Sequence, residues 1–216
     1  YEATEMMGQA ADDLADSFAH TLPDANTLSR IHSLQVNSDQ ALAEVVQRSR
    51  GQTEISVDAL ESIFTQYALR KIQLNVMDYD DLLANWLVLM LEYPEILKEI
   101  SGTFDHVLVD EYQDINPLQA RLLEALTHGH RNLTVVGDDR QAIYGFRGAE
   151  IGHIKSFAQR LGARTIGLHR NYRSTPEIVS VANACDRAML DSEGRLLTAV
   201  GESGARPVSV TVDGHE

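Results

Sequence analysis

The apolar positions of this chain change their period once. Up to about residue 100 they recur at three- and four-residue spacing, as on the buried faces of amphipathic helices. A first helix is predicted from about Glu2 to His20, ending before Pro23. After Ser56, the positions Leu60, Ile63, Phe64 and Tyr67 share one helical face. MDYDDLLANWLVLML then sets Tyr79, Leu82, Leu83, Trp86, Leu87 and Met90 in a single stripe, which Pro94 punctuates. That stripe is read as core and given no chemistry.

From Phe104 the apolar runs shorten. FDHVLV climbs to the acids Asp110 and Glu111, and NLTVVGDD (Asn132 to Asp139) is a second short run ending in acids. Between them, Pro117 to Leu126 predicts a helix. IGHIKSFAQRL predicts another helix, ARTIGL a strand, and STPEIVSVANACDRAML a third helix. Ser174, Pro176 and Glu177 open that last helix in a capping-box arrangement with proline in the first turn. Its Ile178, Val181, Ala182 and Cys185 fall on one face, so Cys185 reads as a small buried hydrophobe rather than a nucleophile. The glycine-rich segment from Gly194 to Gly204 reads as a loop before a last strand, PVSVTV. Strands alternating with helices predict an α/β fold with a mostly parallel sheet. Ligands of such sheets bind at the carboxyl ends of the strands, where both acidic pairs fall.

Composition narrows the class without naming a function. The 216 residues are 44% hydrophobic and 23% charged, the balance of a globular chain of one or two domains. No apolar run is long enough to cross a bilayer, and the opening YEATEMMGQAADDLADSF has acids where a secretory leader is basic. The single cysteine excludes an internal disulfide framework and fits a reducing compartment. The expectation is a soluble, cytoplasmic protein. The net charge of −14 argues against a polyanion partner until its distribution is considered. Residues 140–187 carry eight Lys or Arg against three acids, a local net of +5, while the remainder carries −19. Polyanion binding follows local potential, so the basic segment remains usable.

The candidate chemistry lies at the two strand ends and just beyond. A carboxylate such as Asp110 suits Mg²⁺, a hard ion often held by one or two carboxylates, waters and substrate phosphates. Glu111 is placed to orient or deprotonate a water for in-line attack on a phosphoryl group. Taken alone, two acids after an apolar run are a weak signal; the next strings strengthen it. In VVGDDRQAIYGFRGA, Gly137 and Gly145 allow tight turns and Gln141 offers a neutral amide to a phosphate oxygen. Tyr144 and Phe146, beside Arg147, offer faces for bases and charge for a backbone, as single-stranded nucleic acid requires. In LHRNYRSTPEI, Arg173 precedes a helix and can reach an anion, while Tyr172 has a face for a base.

VLVDEYQDINPLQ, VVGDDRQAIYGFRGA and LHRNYRSTPEIVSVAN resemble consecutive motifs of the UvrD/Rep/PcrA-like superfamily 1 DNA helicases. They correspond to the Walker B motif, motif III and the NYRS motif, and the likeness covers about residues 104–185. MDYDDLL resembles the family segment just upstream, and TLSRIHSL an early single-strand-contacting motif, with His32 and Ser33 in the contacting position. The resemblance implies a RecA-like parallel sheet flanked by helices, with a helical N-terminal insert. It divides the chain into a helical segment 1–100, a motor core 101–165, and the start of a second RecA-like domain at 166–216. It implies that Asp110 binds Mg²⁺, Glu111 activates water and Gln141 contacts the γ-phosphate of ATP. Tyr172 would stack on the adenine and Arg173 reach the γ-phosphate, while Tyr144, Phe146, Arg147 and His32 would face single-stranded DNA. The implied activity is ATP-dependent 3′–5′ movement on single-stranded DNA or at a junction. No G-x-x-x-x-G-K-[ST] phosphate loop occurs in these residues, and GESGARP does not supply one. The expectation is therefore a middle piece of a helicase, inactive alone; the alternative is a motor-like binding or regulatory module that does not hydrolyse ATP.

Overall fold

A computed structural model describes residues 2–18, 22–38, 40–48, 56–143, 151–189 and 196–210. The chain is helix-rich with small parallel sheets. It divides into two compact units, Tyr1–Ala163 and Arg164–Glu216.

The first unit is built on two apolar clusters. Helices α1 (Ala3–Asp12), α2 (Ala25–Asn37), α3 (Leu42–Arg48) and α4 (Val57–Leu74) close around Met7, Leu28, Ile31, Val45, Leu60 and Ile63. The predicted face Leu60, Ile63, Phe64 and Tyr67 is buried throughout. Ser56 caps α4 by accepting from the Ala59 N–H, and Asn75 ends it in the left-handed region. The first helix is shorter than predicted, for it stops at Asp12, and a 3₁₀ turn at Ala15–Ser17 follows. Asp12, Asp13 and Asp16 crowd the negative end of the helix dipole, and Asp13 turns instead to an ion pair with Arg70 of α4.

Helices α5 (Tyr79–Glu92), α6 (Pro94–Ser101) and α7 (Pro117–Leu126) form the second cluster around Leu87, Met90, Leu118 and Leu122. Here the stripe on α5 needs correcting. Leu87 and Met90 are buried and Leu83 partly so, but Tyr79, Leu82 and Trp86 are exposed. The stripe is wider than the face α7 and α6 cover, so its Tyr79–Leu82–Trp86 flank falls outside the packed seam.

Strands β1 (Val107–Val109) and β2 (Leu133–Val135) pair in parallel, Val107 opposite Leu133 and Val109 opposite Val135. Helix α7 makes the connection between them, and α8 (Ile151–Leu161) follows the second strand. Both helices have the predicted bounds.

In the second unit, β3 (Arg170–Asn171) pairs in parallel with β4 (Thr198–Ala199), and α9 (Pro176–Ala188) lies between them in sequence. ARTIGL is not a strand, since it finds no ladder partner among the described residues. Of PVSVTV, residues 207–210 form no strand and the rest lies outside the described residues. The capping box is also corrected: Thr175 is the N-cap and makes no side-chain cap bond. The Glu177 carboxylate is taken instead by the Ser203 hydroxyl and the Gly204 N–H. Cys185 is exposed rather than buried, together with Ile178 and Val181 on the same face.

Candidate functional site

Parallel pairing brings the two acidic strand ends side by side. The Val136 N–H donates to the Val109 carbonyl at 2.8 Å, and the Tyr112 N–H to the Val136 carbonyl at 2.9 Å. The chain therefore stays stitched past the strands, up to the acids. Asp110 is exposed and its Oδ1 accepts the Glu111 N–H at 3.0 Å.

Glu111 holds φ 51° and ψ 44°, the left-handed region that glycine favours and other residues enter at a cost of roughly 1–2 kcal/mol. The structure around it over-determines this turn. Tyr112, directly after it, is buried, with its ring edge-on to Phe157 at 5.0 Å. The Tyr112 N–H, bonded to the Val136 carbonyl at 2.9 Å, fixes the backbone on the far side of the turn. A non-glycine residue held there, itself one of the two candidate carboxylates, is the kind of strain that concentrates at functional positions.

Beneath the acids lies Gln113, which no pattern in the sequence marks out. Gln113 is 2% exposed; its Nε2 donates to Glu111 Oε2 at 2.7 Å and its Oε1 accepts the Asp138 N–H at 2.9 Å. Asp138 caps a 3₁₀ turn at Asp139–Gln141, with Oδ1 accepting the Arg140 N–H and Oδ2 the Gln141 side chain at 2.9 Å. Asp139 pairs with Lys155 of α8 at 3.7 Å. Gly137 is needed for a different reason from the predicted tight turn: a Cβ there would lie 2.6 Å from Gln113 Oε1. Gly145, Tyr144, Phe146 and Arg147 lie outside the described residues.

A second polar seam ties the helices behind the sheet together. Asn37 Nδ2 donates to the Asp80 carboxylate at 2.7 Å, and Asn37 Oδ1 accepts from buried Asn116 at 2.9 Å. Asn116 also caps α7, the helix that follows the acids. Nearby, Lys71 pairs with Asp78 at 2.7 Å and Asp81 at 2.6 Å, and the Tyr67 hydroxyl donates to Asp78. This explains the acids of MDYDDLL: Asp78 and Asp81 form a capping box for α5 and hold the buried Lys71 ammonium. Polar residues inside an apolar pattern were the available signal for both seams.

His32 sits on α2, half-buried, with its ring edge-on to Phe64 at 4.9 Å and Tyr67 at 5.3 Å. Burial, helped by the Lys71 charge, pushes its imidazole below the ordinary value of 6.5 against the opposing pull of Asp78, Asp80 and Asp81. In the second unit, Asn171 Oδ1 accepts the Arg173 N–H at 3.0 Å and the Ser174 N–H at 2.7 Å. This Asx turn leads into α9 and leaves Tyr172, 71% exposed, and Arg173 at the surface. Asp110, Glu111 and Gln141 thus belong to the first unit, and Tyr172 and Arg173 to the second.

The family model for the UvrD/REP helicase N-terminal domain matches residues 3–162. The chain belongs to that family. Among its relatives, ATP-dependent DNA helicase UvrD1 of Mycobacterium tuberculosis is 39% identical over 171 residues, covering 74% of this chain and 21% of its own length. ATP-dependent DNA helicase PcrA of Staphylococcus aureus is 38% identical over 132 residues, 61% of this chain and 18% of its own. The putative ATP-dependent DNA helicase YjcD of Bacillus subtilis is 35% identical over 147 residues, 68% of this chain and 19% of its own. The chain thus spans about a fifth of the length of the curated relatives it matches. Among the described residues, no helix is long and apolar enough to cross a membrane.

Proposed function

We propose that this chain is the segment of a UvrD/Rep-family helicase that carries the water-activating half of an ATPase site. The first unit then corresponds to part of a RecA-like motor domain with helical insert material, and the second to the start of another. The observation that carries this reading is the exposed Asp110–Glu111 pair, held by a left-handed turn beside the Gln141 loop. UvrD1 and PcrA, both named ATP-dependent DNA helicases, support the same assignment.

The residues present fit Mg²⁺ and a nucleotide. Asp110 offers a hard oxygen at a strand end, with Oδ1 steadied by a backbone N–H and the side chain open to solvent. Bound Mg²⁺ would draw charge from the phosphoryl oxygens. Glu111 accepts a proton from the attacking water, and Gln141 donates its amide to a phosphate oxygen. Tyr172 is assigned to the adenine base and Arg173 to the γ-phosphate, as the family resemblance implies. His32, Tyr144, Phe146 and Arg147 are assigned to single-stranded DNA, with movement from 3′ to 5′. With no phosphate loop among these residues, the 216-residue chain alone is expected to show little or no ATP turnover.

The deciding experiment is single-strand-stimulated ATP hydrolysis by the full-length protein. Glu111→Gln should lower kcat by about 10²-fold or more while sparing nucleotide binding, the scale of a lost general base. Turnover near wild type would remove Glu111 from its role. A full-length protein that binds single strands without hydrolysing ATP would instead be a binding or regulatory module.

A further inference from the structure

One buried amide connects the two strand ends, and its orientation is not free. A backbone N–H can only donate, so the Gln113 oxygen must face Asp138. Its NH₂ is thereby left for Glu111 Oε2, an acceptor when ionised, at 2.7 Å. The surroundings keep it there. Gln113 is buried, and the ground above it is closed by Gly137, where a Cβ would lie 2.6 Å from Gln113 Oε1 and 2.7 Å from Ile154 Cδ1. Asp138 then holds Gln141 through Oδ2 at 2.9 Å. Glu111, Gln113, Asp138 and Gln141 are thus joined by one unbroken line of hydrogen bonds and covalent backbone.

We propose that Gln113 is a positioning residue that fixes the Glu111 carboxylate to the Gln141 loop. The inference rests on the ATPase reading above. A glutamate at the surface samples many rotamers, and a general base works only within hydrogen-bond reach of the water it activates. A donor that is itself immobilised selects one rotamer. It occupies Oε2 and leaves Oε1 to accept from the water. Since the far end of the same amide holds the Asp138 N–H, a shift of the Gln141 loop on contact with phosphate moves the base with it. Hydrolysis is then timed by that loop rather than by Glu111 alone.

The test uses the full-length protein, Gln113→Glu, Gln113→Asn, and each of these combined with Glu111→Asp. Gln113→Glu keeps an acceptor for the Asp138 N–H but sets a carboxylate against Glu111. Gln113→Asn is a shorter amide that cannot span both partners. Both should lower kcat for single-strand-stimulated ATP hydrolysis about 10- to 100-fold, as lost orienting partners do at other sites. KM for ATP should stay within about threefold. Glu111→Asp withdraws the carboxylate from Gln113 by one methylene, so in that background either change should cost less than about threefold. The same 10- to 100-fold loss in both backgrounds overturns the proposal and leaves Gln113 a packing residue. So does a kcat within threefold of wild type for both single variants. If Gln113→Glu does not fold, Gln113→Asn, which introduces no charge, decides alone. A wild-type protein with no ATP turnover is a separate result: it removes the ATPase reading, and this inference with it.

Discussion

Helices α4 and α9 carry nearly the same apolar pattern and meet opposite fates. On α4, Leu60, Ile63, Phe64 and Tyr67 repeat at three- and four-residue spacing, and each is buried against α1, α2 and α3. On α9, Ile178, Val181, Ala182 and Cys185 repeat in the same way, and all four are exposed. Periodicity therefore reports that a helix has an apolar face. It does not report that the chain supplies a cover for it. The cover of α4 comes from three helices within the same hundred residues, whereas among the described residues α9 shares its unit with two short strands and the segments around them.

The sharpest way to break this contrast is near the C-terminal end of α4, where the buried face admits a charge. Lys71 is 6% exposed and is held by Asp78, Asp81 and the face of Tyr67, whose centroid is 4.3 Å from its ammonium. Lys71→Met leaves two carboxylates at the seam without their cation. Removing one partner of such a group costs about 3–5 kcal/mol, more than the intact pair contributes. Urea unfolding of this chain should show that loss. A change below about 1 kcal/mol would mean the carboxylates relax to solvent and the seam is not a closed interior.

Next comes the apolar pattern itself. Ile63→Ala on α4 should cost about 2–5 kcal/mol through lost burial and a residual cavity. Ile178→Ala on α9, at 49% exposure, should stay within about 0.5 kcal/mol. Equal costs at the two positions, read from urea midpoints, would show that the α9 face is covered in solution.

The same distinction governs how much of the molecule was legible in its sequence. Helix α7 begins where predicted because its start is written locally, by Asn116, Pro117 and Gln119 in a capping box. The parallel pairing also follows from strands alternating with helices. ARTIGL failed because a strand is defined by a partner, and composition does not supply one. Glu177 failed as a cap because Ser203, 26 residues away, competes for its carboxylate. At the site, Asp110, Glu111 and Gln141 stood out as chemistry exposed on short strings. Gln113 did not, since a glutamine between an acid and an aromatic resembles any loop residue until its two partners are seen. Gly137 was singled out for the wrong reason: its φ is ordinary, and what matters is the side-chain oxygen packed against it.

The smallest effect separates the two helices by pH. His32, against the α4 rings, has an imidazole depressed in the folded state, chiefly by burial. Between that depressed value and 6.5 the unfolded chain binds the proton more readily, so stability from this group is complete above 6.5 and declines as pH falls below it. Asp78 acts lower. Burial opposes its ionisation, but the Lys71, Asp81 N–H and Tyr67 hydrogen bonds outweigh that and hold it below 3.8, so its contribution is lost only under more acid conditions. On the α9 side, Glu177 is held down to about 2 by Ser203 and Gly204, so its leg begins below 4.5. Between pH 7 and 5, then, the α4 side should weaken through His32, and neither Asp78 nor Glu177 should contribute. Melting temperatures at pH 7, 6 and 5 for wild type and His32→Leu test this. The wild type should fall with pH and the variant should fall less. Parallel curves would place the imidazole in contact with water rather than between the rings of Phe64 and Tyr67.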